Sequence, residues 1–331
     1  MVRIAMLSLA HMHAKEHIQQ LRATEGAQIA AVWDDKPARG QAAAKELNVP
    51  FDDDLARVLA RKDVDAVVVN TETCKHRTVL IAAAHAKKHI FTEKPVTITA
   101  ADADEVAREI KASGVKFMIS LPERSRPTAL YMKQLIDEDT LGRITLARFR
   151  VSHAAALENW FKDDAAWFVD EKQSGGGALF DIGCHTLDLM RWMLGEPASV
   201  TCKKANVTGA YAVDDNVVAI VEFKNKALGI LDASYTQRCG PNFFELYGTE
   251  GCAVRGMPGS LVSYMTTKGS DGTSWLKPPK LPKSRPAPMD QWLAAIERNE
   301  PPHLTVDDAR NLTQLLEAAY RSAREGREVK V

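Results

Sequence analysis

The segment Gly175-Gly176-Gly177-Ala178-Leu179-Phe180-Asp181-Ile182-Gly183-Cys184-His185-Thr186-Leu187-Asp188 sets a carboxylate and an imidazole four positions apart, just after a run of glycines. On a helix those positions share a face, so Asp181 and His185 are expected to act together. An imidazole whose ordinary pKa lies near neutrality suits proton transfer. Far upstream, Glu93-Lys94-Pro95 closes the apolar run Ile90-Phe91-Thr92. The carboxyl end of a parallel strand opens onto the ligand crevice of a nucleotide-binding sheet, and Pro95 restrains Lys94 to an extended backbone. A lysine, an aspartate and a histidine meeting over a nucleotide would make a hydride-transfer site, so Lys94, Asp181 and His185 are the candidate catalytic residues.

A nucleotide-binding sheet usually carries G-x-G-x-x-G in its first turn, where glycines let the backbone approach a pyrophosphate at a helix N-terminus. This chain has Ser8-Leu9-Ala10-His11-Met12-His13-Ala14. Each Cβ of Ser8 and Ala10 narrows that approach, although Ala14 still permits close packing of the helix. Ser8, Ala10, His11 and His13 are candidate cofactor contacts. The second strand ends in Trp33-Asp34-Asp35, where an acid would hydrogen-bond the adenosine ribose. Asp34 is the first choice, with Asp35 beside it; a helix N-cap before Pro37 is the competing explanation. A carboxylate there repels a 2′-phosphate, which favours NAD over NADP, with Arg39 the residue that argues the other way. Asn70, Thr71 and His76 at and after the third apolar run, with Glu93 and Lys94, complete the candidate cofactor set.

No metal site is assigned. His11 and His13 sit two apart on a turn, but no cysteine or carboxylate close in sequence completes a ligand set. Asp188 lies on the Asp181–His185 stripe, where pairing with Arg191 explains it equally well.

These residues need a scaffold, and the chain has the length for two domains: 331 residues, 45% hydrophobic. From residue 2 to about 120, short apolar runs alternate with longer amphipathic ones, as in Ile4–Leu9 then Ala14–Ala23, or Ala66–Asn70 then Arg77–Lys87. That alternation predicts an α/β domain over residues 1–122, a doubly wound parallel sheet with helices on both faces. Strands then follow in succession over Ile144–Ser152, Val200–Ala205, Val217–Phe223, Ala227–Tyr235 and Asn242–Tyr247. They predict an α+β domain over residues 123–331 with an open, mainly antiparallel sheet. Gly256–Pro288, rich in Pro, Gly, Ser and Lys, reads as a long surface excursion before two final helices, Met289–Arg298 and Val306–Arg324.

The 43 basic and 43 acidic residues cancel, so nothing resembles the footprint of a nucleic-acid binder. No stretch approaches the ~20 apolar residues that cross a bilayer, and the first residues read as a buried strand rather than a signal peptide. Five scattered cysteines without a C-x-x-C pair suit a reducing, cytoplasmic setting. The expected partner is a small molecule.

Three features, in order, resemble the Gfo/Idh/MocA oxidoreductases. They are Glu93-Lys94-Pro95, the block from Gly175 to Asp188 continuing into Arg191-Trp192-Met193-Leu194-Gly195, and the ending Asp307-Asp308-Ala309-Arg310 with Ala318-Ala319-Tyr320-Arg321-Ser322-Ala323. The resemblance implies a Rossmann domain followed by an open-faced sheet domain that packs in homodimers or homotetramers. It also implies catalytic roles for Lys94, Asp181 and His185, and places Arg124 near the substrate cleft. The missing glycines at Ser8 and Ala10 depart from the family pattern. On this reading a sugar, inositol or related polyol gives up hydride to the nicotinamide while His185 takes its hydroxyl proton, Lys94 stabilises the oxygen, and Asp181 holds the histidine or a second hydroxyl. His153, Trp160, Lys162 and Trp167, which precede the glycine block, are candidate substrate contacts because aromatic rings pack on sugar faces. Two rivals remain: a glycosidase acting by transient oxidation and elimination, and a non-catalytic ligand sensor, against which the joint retention of Lys94, Asp181 and His185 argues.

Overall fold

A computed structural model describes residues 1–240, 242–256 and 261–331. Six strands form the first sheet: β1 (Val2–Leu7), β2 (Ala27–Trp33), β3 (Phe51–Asp52), β4 (Ala66–Val69), β5 (His89–Thr92) and β6 (Phe117–Ile119). They lie in the order β3-β2-β1-β4-β5-β6, every pair parallel. Strand β4, Ala-Val-Val-Val, is fully buried, as a sheet covered on both faces requires. The order reverses between β1 and β4, and this switch point is where such sheets open a ligand crevice. Ser8–His13, Asn70–Thr71 and Glu93–Lys94 all follow strands at that edge. Strand β3 and the helix Leu55–Ala60 were not anticipated; both are too short to show a hydrophobic period, although Asp54 caps the helix by accepting from the amides of Ala56 and Arg57.

The second sheet has eight strands: β7 (Ile144–Ser152), β8 (Pro197–Ala205), β9 (Asn216–Phe223), β10 (Leu228–Ser234), β11 (Phe244–Gly248), β12 (Gly251–Arg255), β13 (Val262–Thr266) and β14 (Val329–Lys330). Their order is β13-β12-β11-β7-β10-β9-β8-β14, antiparallel throughout except that β7 and β10 run parallel. Alternation in β9 turns Val217, Ala219, Val221 and Phe223 inward and leaves Val218 and Ile220 nearly half exposed. The expected excursion over Gly256–Pro288 is not all loop: β13 pairs with β12, and Tyr264 bridges to Leu276. Residues 257–260 of that stretch lie outside the described residues.

The two lobes are not separate along the chain. The helix Pro288–Arg298 returns to pack on β1, β5 and β6, and Val306–Glu325 lies between the helix Ala100–Ser113 and β8. Trp292, fully buried, donates from Nε1 to Lys116 O at 3.3 Å. Arg124 bolts the same region. Its guanidinium donates to Asp188 Oδ1 and Oδ2 at 2.5 and 2.8 Å and to Asp308 at 3.1 Å, with the Arg124 and Asp188 side chains 5% and 2% exposed. The pairing expected between Asp188 and Arg191 is absent, because Arg191 reaches Glu196 instead.

The glycine run is explained by crowding. Gly177 N donates to Tyr320 Oη at 3.0 Å, Tyr320 Oη donates to Asp214 Oδ1 at 2.7 Å, and Ala178 N donates to Asp214 O at 2.9 Å. A Cβ on Gly177 would stand 1.9 Å from Asp214 O, and one on Gly176 would stand 2.1 Å from Tyr320 Oη. Gly177→Ala is therefore expected to lose about 1–3 kcal/mol of stability in urea unfolding. Wild-type stability would show that the backbone there yields freely.

Candidate active site

Asp181 does not sit on a regular α-helix. Leu179–Gly183 forms a π-helical turn that leads into the α-helix Cys184–Leu194, on whose first turn His185 lies. The turn aims the Asp181 carboxylate at Lys94 rather than at His185. Lys94 Nζ donates to Asp181 Oδ1 at 2.9 Å and to Asp181 O at 2.8 Å. Tyr235, where the chain leaves β10, donates from Oη to Asp181 Oδ2 at 2.9 Å. Both carboxylate oxygens are thus bonded to Lys94 and Tyr235, so of the two roles expected of Asp181, holding the histidine or a second substrate hydroxyl, the first is not seen here. Burial disfavours the Lys94 ammonium, yet the adjacent Asp181 carboxylate outweighs it and holds the pKa above the ordinary lysine value. Burial likewise works against the Asp181 carboxylate, but Lys94 keeps it well below the usual range.

His185 keeps an edge on a cleft of about 460 Å³ shared with His13, His17, Arg126 and Asn242, while its Nδ1 is closed off from solvent without a hydrogen-bond partner. Burial, then the positive charge of Lys94, push its pKa down to about 3. The sequence expectation of a near-neutral pKa is corrected by that environment: the ring is an uncharged proton acceptor across the neutral range. Lys94 and Asp181, by contrast, border a pinhole of about 10 Å³ closed by Trp167 and Phe168. The two candidate groups open on different cavities, although Lys94 perturbs His185 electrostatically.

The substrate candidates divide. His153 is sandwiched between Trp160 and Tyr235, with ring centroids 4.7 and 5.0 Å away, beside Asp181. Trp167 donates from Nε1 to Ala10 O at 3.1 Å and packs on His11, so the second lobe closes over the first turn. Lys162 lines a crevice of about 650 Å³ with Leu9, Ala10, Met12 and Arg39. Arg124 is consumed by its two aspartates and belongs to the lobe interface rather than the cleft.

The cofactor candidates are equally uneven. Ser8 keeps the left-handed backbone that glycine would favour, at φ 69°, and the turn is tied up internally. Leu9 N donates to Asp34 Oδ2 at 2.9 Å, Ala10 N to Ser8 Oγ at 3.2 Å, and His11 N to Asn70 O at 3.0 Å. Asp34 is fully buried and also accepts from Lys36 N at 2.9 Å and from Arg39 at 2.7 and 2.8 Å. This ties the first turn to the approach of the next helix without capping it, since Lys36 holds the N-cap position and that helix has no side-chain cap, and Asp35 is the acid left partly exposed, paired with Lys75. His76 is a strut, its ring reaching the carbonyls of Thr71 and Pro95 at 3.2 and 3.1 Å. Thr71 Oγ1 and Asn70 Nδ2, at the end of β4, are buried polar atoms without partners. Those orphans are polar atoms a nucleotide would satisfy; the 650 Å³ crevice flanks the first turn but is not lined by them.

Glu93 is buried and draws three histidines together. Its carboxylate lies 3.1 Å from His13 Nδ1, 3.1 Å from His17 Nε2 and 3.5 Å from His11 Nε2. Sequence reasoning missed His17 and Tyr235. His13 and His17 stand one helical turn apart, a readable signal; Tyr235 carries none beyond ending a strand.

Residues 2–121 match the family model described as an oxidoreductase family with an NAD-binding Rossmann fold, and residues 129–254 match the GFO/IDH/MocA C-terminal domain. The chain belongs to the GFO/IDH/MocA family of NAD(P)-dependent oxidoreductases. It is 25% identical to myo-inositol 2-dehydrogenase from Thermotoga maritima, over 100% of this chain and 98% of that one. It is 29% identical to 1,5-anhydro-D-fructose reductase from Ensifer adhaerens, over 78% of each. The solved structure of GenD2 from gentamicin A biosynthesis, in complex with NAD, superposes with a TM-score of 0.83 at 26% identity, covering 100% of this chain and 96% of that one.

Burial lowers the pKa of His11, His76 and His185 relative to an unfolded chain. Unfolding therefore takes up protons below about pH 6.5, and stability falls as pH falls through that window toward the depressed folded values. Between about pH 6.5 and 5, above the carboxylate range, His185→Gln is expected to flatten the pH dependence of urea unfolding. An unchanged slope would show that His185 titrates normally.

Proposed function

We propose that this enzyme oxidises a secondary alcohol of a sugar, inositol or related polyol, or runs the same step in reverse, with NAD preferred over NADP. The observation that carries the reading is the buried Lys94 ammonium, pinned by Asp181 at the carboxyl end of a Rossmann strand, whose charge reaches a His185 ring with an unpartnered Nδ1 on the neighbouring cleft. The substrate classes of the inositol dehydrogenase and anhydrofructose reductase relatives agree with it.

Bound nicotinamide supplies the hydride acceptor or donor. Asn70, Thr71 and the Lys162–Arg39 crevice would hold the nucleotide, with Asp35 the acid reachable by a ribose. Lys94 donates a hydrogen bond to the reacting oxygen, and its charge stabilises the negative charge that develops there. Because Asp181 fixes Lys94 from one side and Tyr235 fixes Asp181 from the other, the ammonium needs little reorganisation. His185 takes the hydroxyl proton; its low pKa makes it a weak base, so the Lys94 charge must do more of the work by acidifying the alcohol. For both groups to reach one carbon, Trp167 and Phe168 must lift from the pinhole over Lys94. His153 and Trp160 form an aromatic wall against which a sugar face packs.

The open sheet face, with Val218, Ile220 and Leu228 each more than two-fifths exposed, suits a second copy of the chain in a homodimer or homotetramer. Unpaired cysteines fit a cytoplasmic setting, and no helix among the described residues is long and apolar enough to cross a membrane.

Lys94→Ala and His185→Ala are each expected to lower turnover at least ~100-fold with NAD affinity retained, as read by steady-state kinetics and nucleotide titration on a panel of sugars and inositols. Turnover like wild type in either variant would remove the assignment. Following NADH absorbance and product together tests the redox class: sugar release without stoichiometric NADH would replace this reading with the elimination mechanism.

A further inference from the structure

We propose that the imidazoles of His11 and His13 and the carboxylate of Glu93 form a binding site for one divalent first-row transition ion, Zn²⁺ being the reference case. The ligating atoms of the three residues lie within 4.8 Å of one another, the one such group of three or more among the described residues. The Glu93 oxygens stand 3.1 Å from His13 Nδ1 and 3.5 Å from His11 Nε2. A tetrahedral ion with nitrogen and oxygen ligands at about 2.0–2.1 Å holds its ligand atoms about 3.3 Å apart, so the cluster is already near the required size.

Two further observations point to a cation. His11 is 2% exposed, and its Nε2 faces Glu93 Oε2 with no hydrogen-bond partner. A buried polar atom left idle against a buried carboxylate is costly unless something lies between them. Glu93 itself is 0% exposed, and the neighbouring ammonium does not neutralise it, because Lys94 Nζ turns away to Asp181. Its other contacts are a 3.2 Å bond from Lys94 N and the three imidazoles. The buried carboxylate's charge is met by the imidazoles around it or by a metal ion among them.

His17 braces the site. Its Nε2 meets the Glu93 oxygen that also faces His13, and its Nδ1 meets Asn70 Oδ1 at 2.9 Å, which fixes the ring and through it the carboxylate. Loading has two local costs: His13 Nδ1, which donates to Glu93 Oε1 at 3.1 Å, must pass its proton to Nε2 or to solvent, and His11 must change tautomer. His13 N–H donates to His11 Nδ1 at 3.2 Å, so His11 carries its proton on Nε2 when no metal is bound. Coordination through Nε2 moves that proton to Nδ1 and gives up this long contact. Two imidazoles and one carboxylate suit zinc, iron, cobalt or nickel over magnesium or calcium. Three protein ligands leave a fourth position to be filled, and of the three only His13 lines the cleft that also holds His185.

The site stands or falls independently of the redox reading. The test uses untagged protein stripped with a chelator, titrated with ZnCl₂ by calorimetry and with Co²⁺ by visible absorption. Wild type is expected to take up about one ion per chain with micromolar or tighter affinity, giving a four- or five-coordinate Co²⁺ spectrum without a thiolate band. Glu93→Gln and His13→Ala are each expected to weaken binding at least ~10-fold, while His85→Ala, at the exposed His85–Glu109 pair, binds like wild type. Circular dichroism checks that each variant folds, and the wild-type titration stands on its own should one fail. No uptake by stripped wild type, a thiolate band, or unchanged affinity in folded Glu93→Gln and His13→Ala would each overturn the proposal; the first would leave a proton as the bridging cation.

Discussion

The ion pair between Lys94 and Asp181 is the constraint on which the arrangement of this site depends. One partner stands at the end of β5 in the first lobe and the other in a π-helical turn of the second, with side chains 3% and 13% exposed. Burying two charges costs several kcal/mol per ion before their attraction returns anything, so the pair is weak evidence of stability for its own sake. Its structural consequence is positional. Removing either partner leaves an uncompensated buried charge, and that asymmetry ties the two lobes into one geometry more firmly than an apolar contact of similar area. Tyr235 extends the tie into the second sheet, and the Arg124–Asp188–Asp308 cluster makes a parallel tie nearby.

Much of this architecture was legible because hydrophobic period and turn chemistry agree along most of the chain. The runs ending at Leu7, Trp33, Val69, Thr92 and Ile119 are apolar enough to demand burial on both faces, which only a parallel sheet flanked by helices provides. In the second sheet, alternation in β7 and β9 announced strands with one covered face. Period says nothing about partner choice: β7 and β10 pair in parallel across some eighty intervening residues, which no local pattern encodes. Nor does it register an element as short as β3.

The site was legible in composition and less so in connection. Lys94, Asp181 and His185 were picked out by type and spacing, but the α-helical i, i+4 rule assigned Asp181 to the wrong partner. The rule assumes 3.6 residues per turn, and the π-helical turn at Leu179–Gly183 breaks that assumption where the residues matter. The triple glycine admits Tyr320 and Asp214 to the backbone, a packing reason that no sequence period announces. Asp34 shows the same lesson. An acid at the end of β2 could meet a ribose or brace the protein's own turn, and the arginine five residues on, bidentate to it in the fold, holds it to the turn.

The departure at the first turn makes sense once Glu93 is considered with it. In a G-x-G-x-x-G turn the amides stay free for a pyrophosphate and the absent side chains leave room for it. Here Leu9, Ala10 and His11 spend their amides within the protein, and the space above the turn is taken by His11, Trp167 and Phe168, with His11 centroids 6.0 and 5.0 Å from the two aromatic rings. A turn that had merely lost its glycines would have no reason to gather histidines in their stead. Instead His11, His13 and His17 converge on one buried acid at the end of β5, the residue that precedes the catalytic lysine candidate. The Glu93 charge acts through space on Lys94, whose ammonium faces Asp181. The altered turn thus meets the Glu-Lys-Pro strand end at Glu93, while Asp181 remains the nearer charge on Lys94.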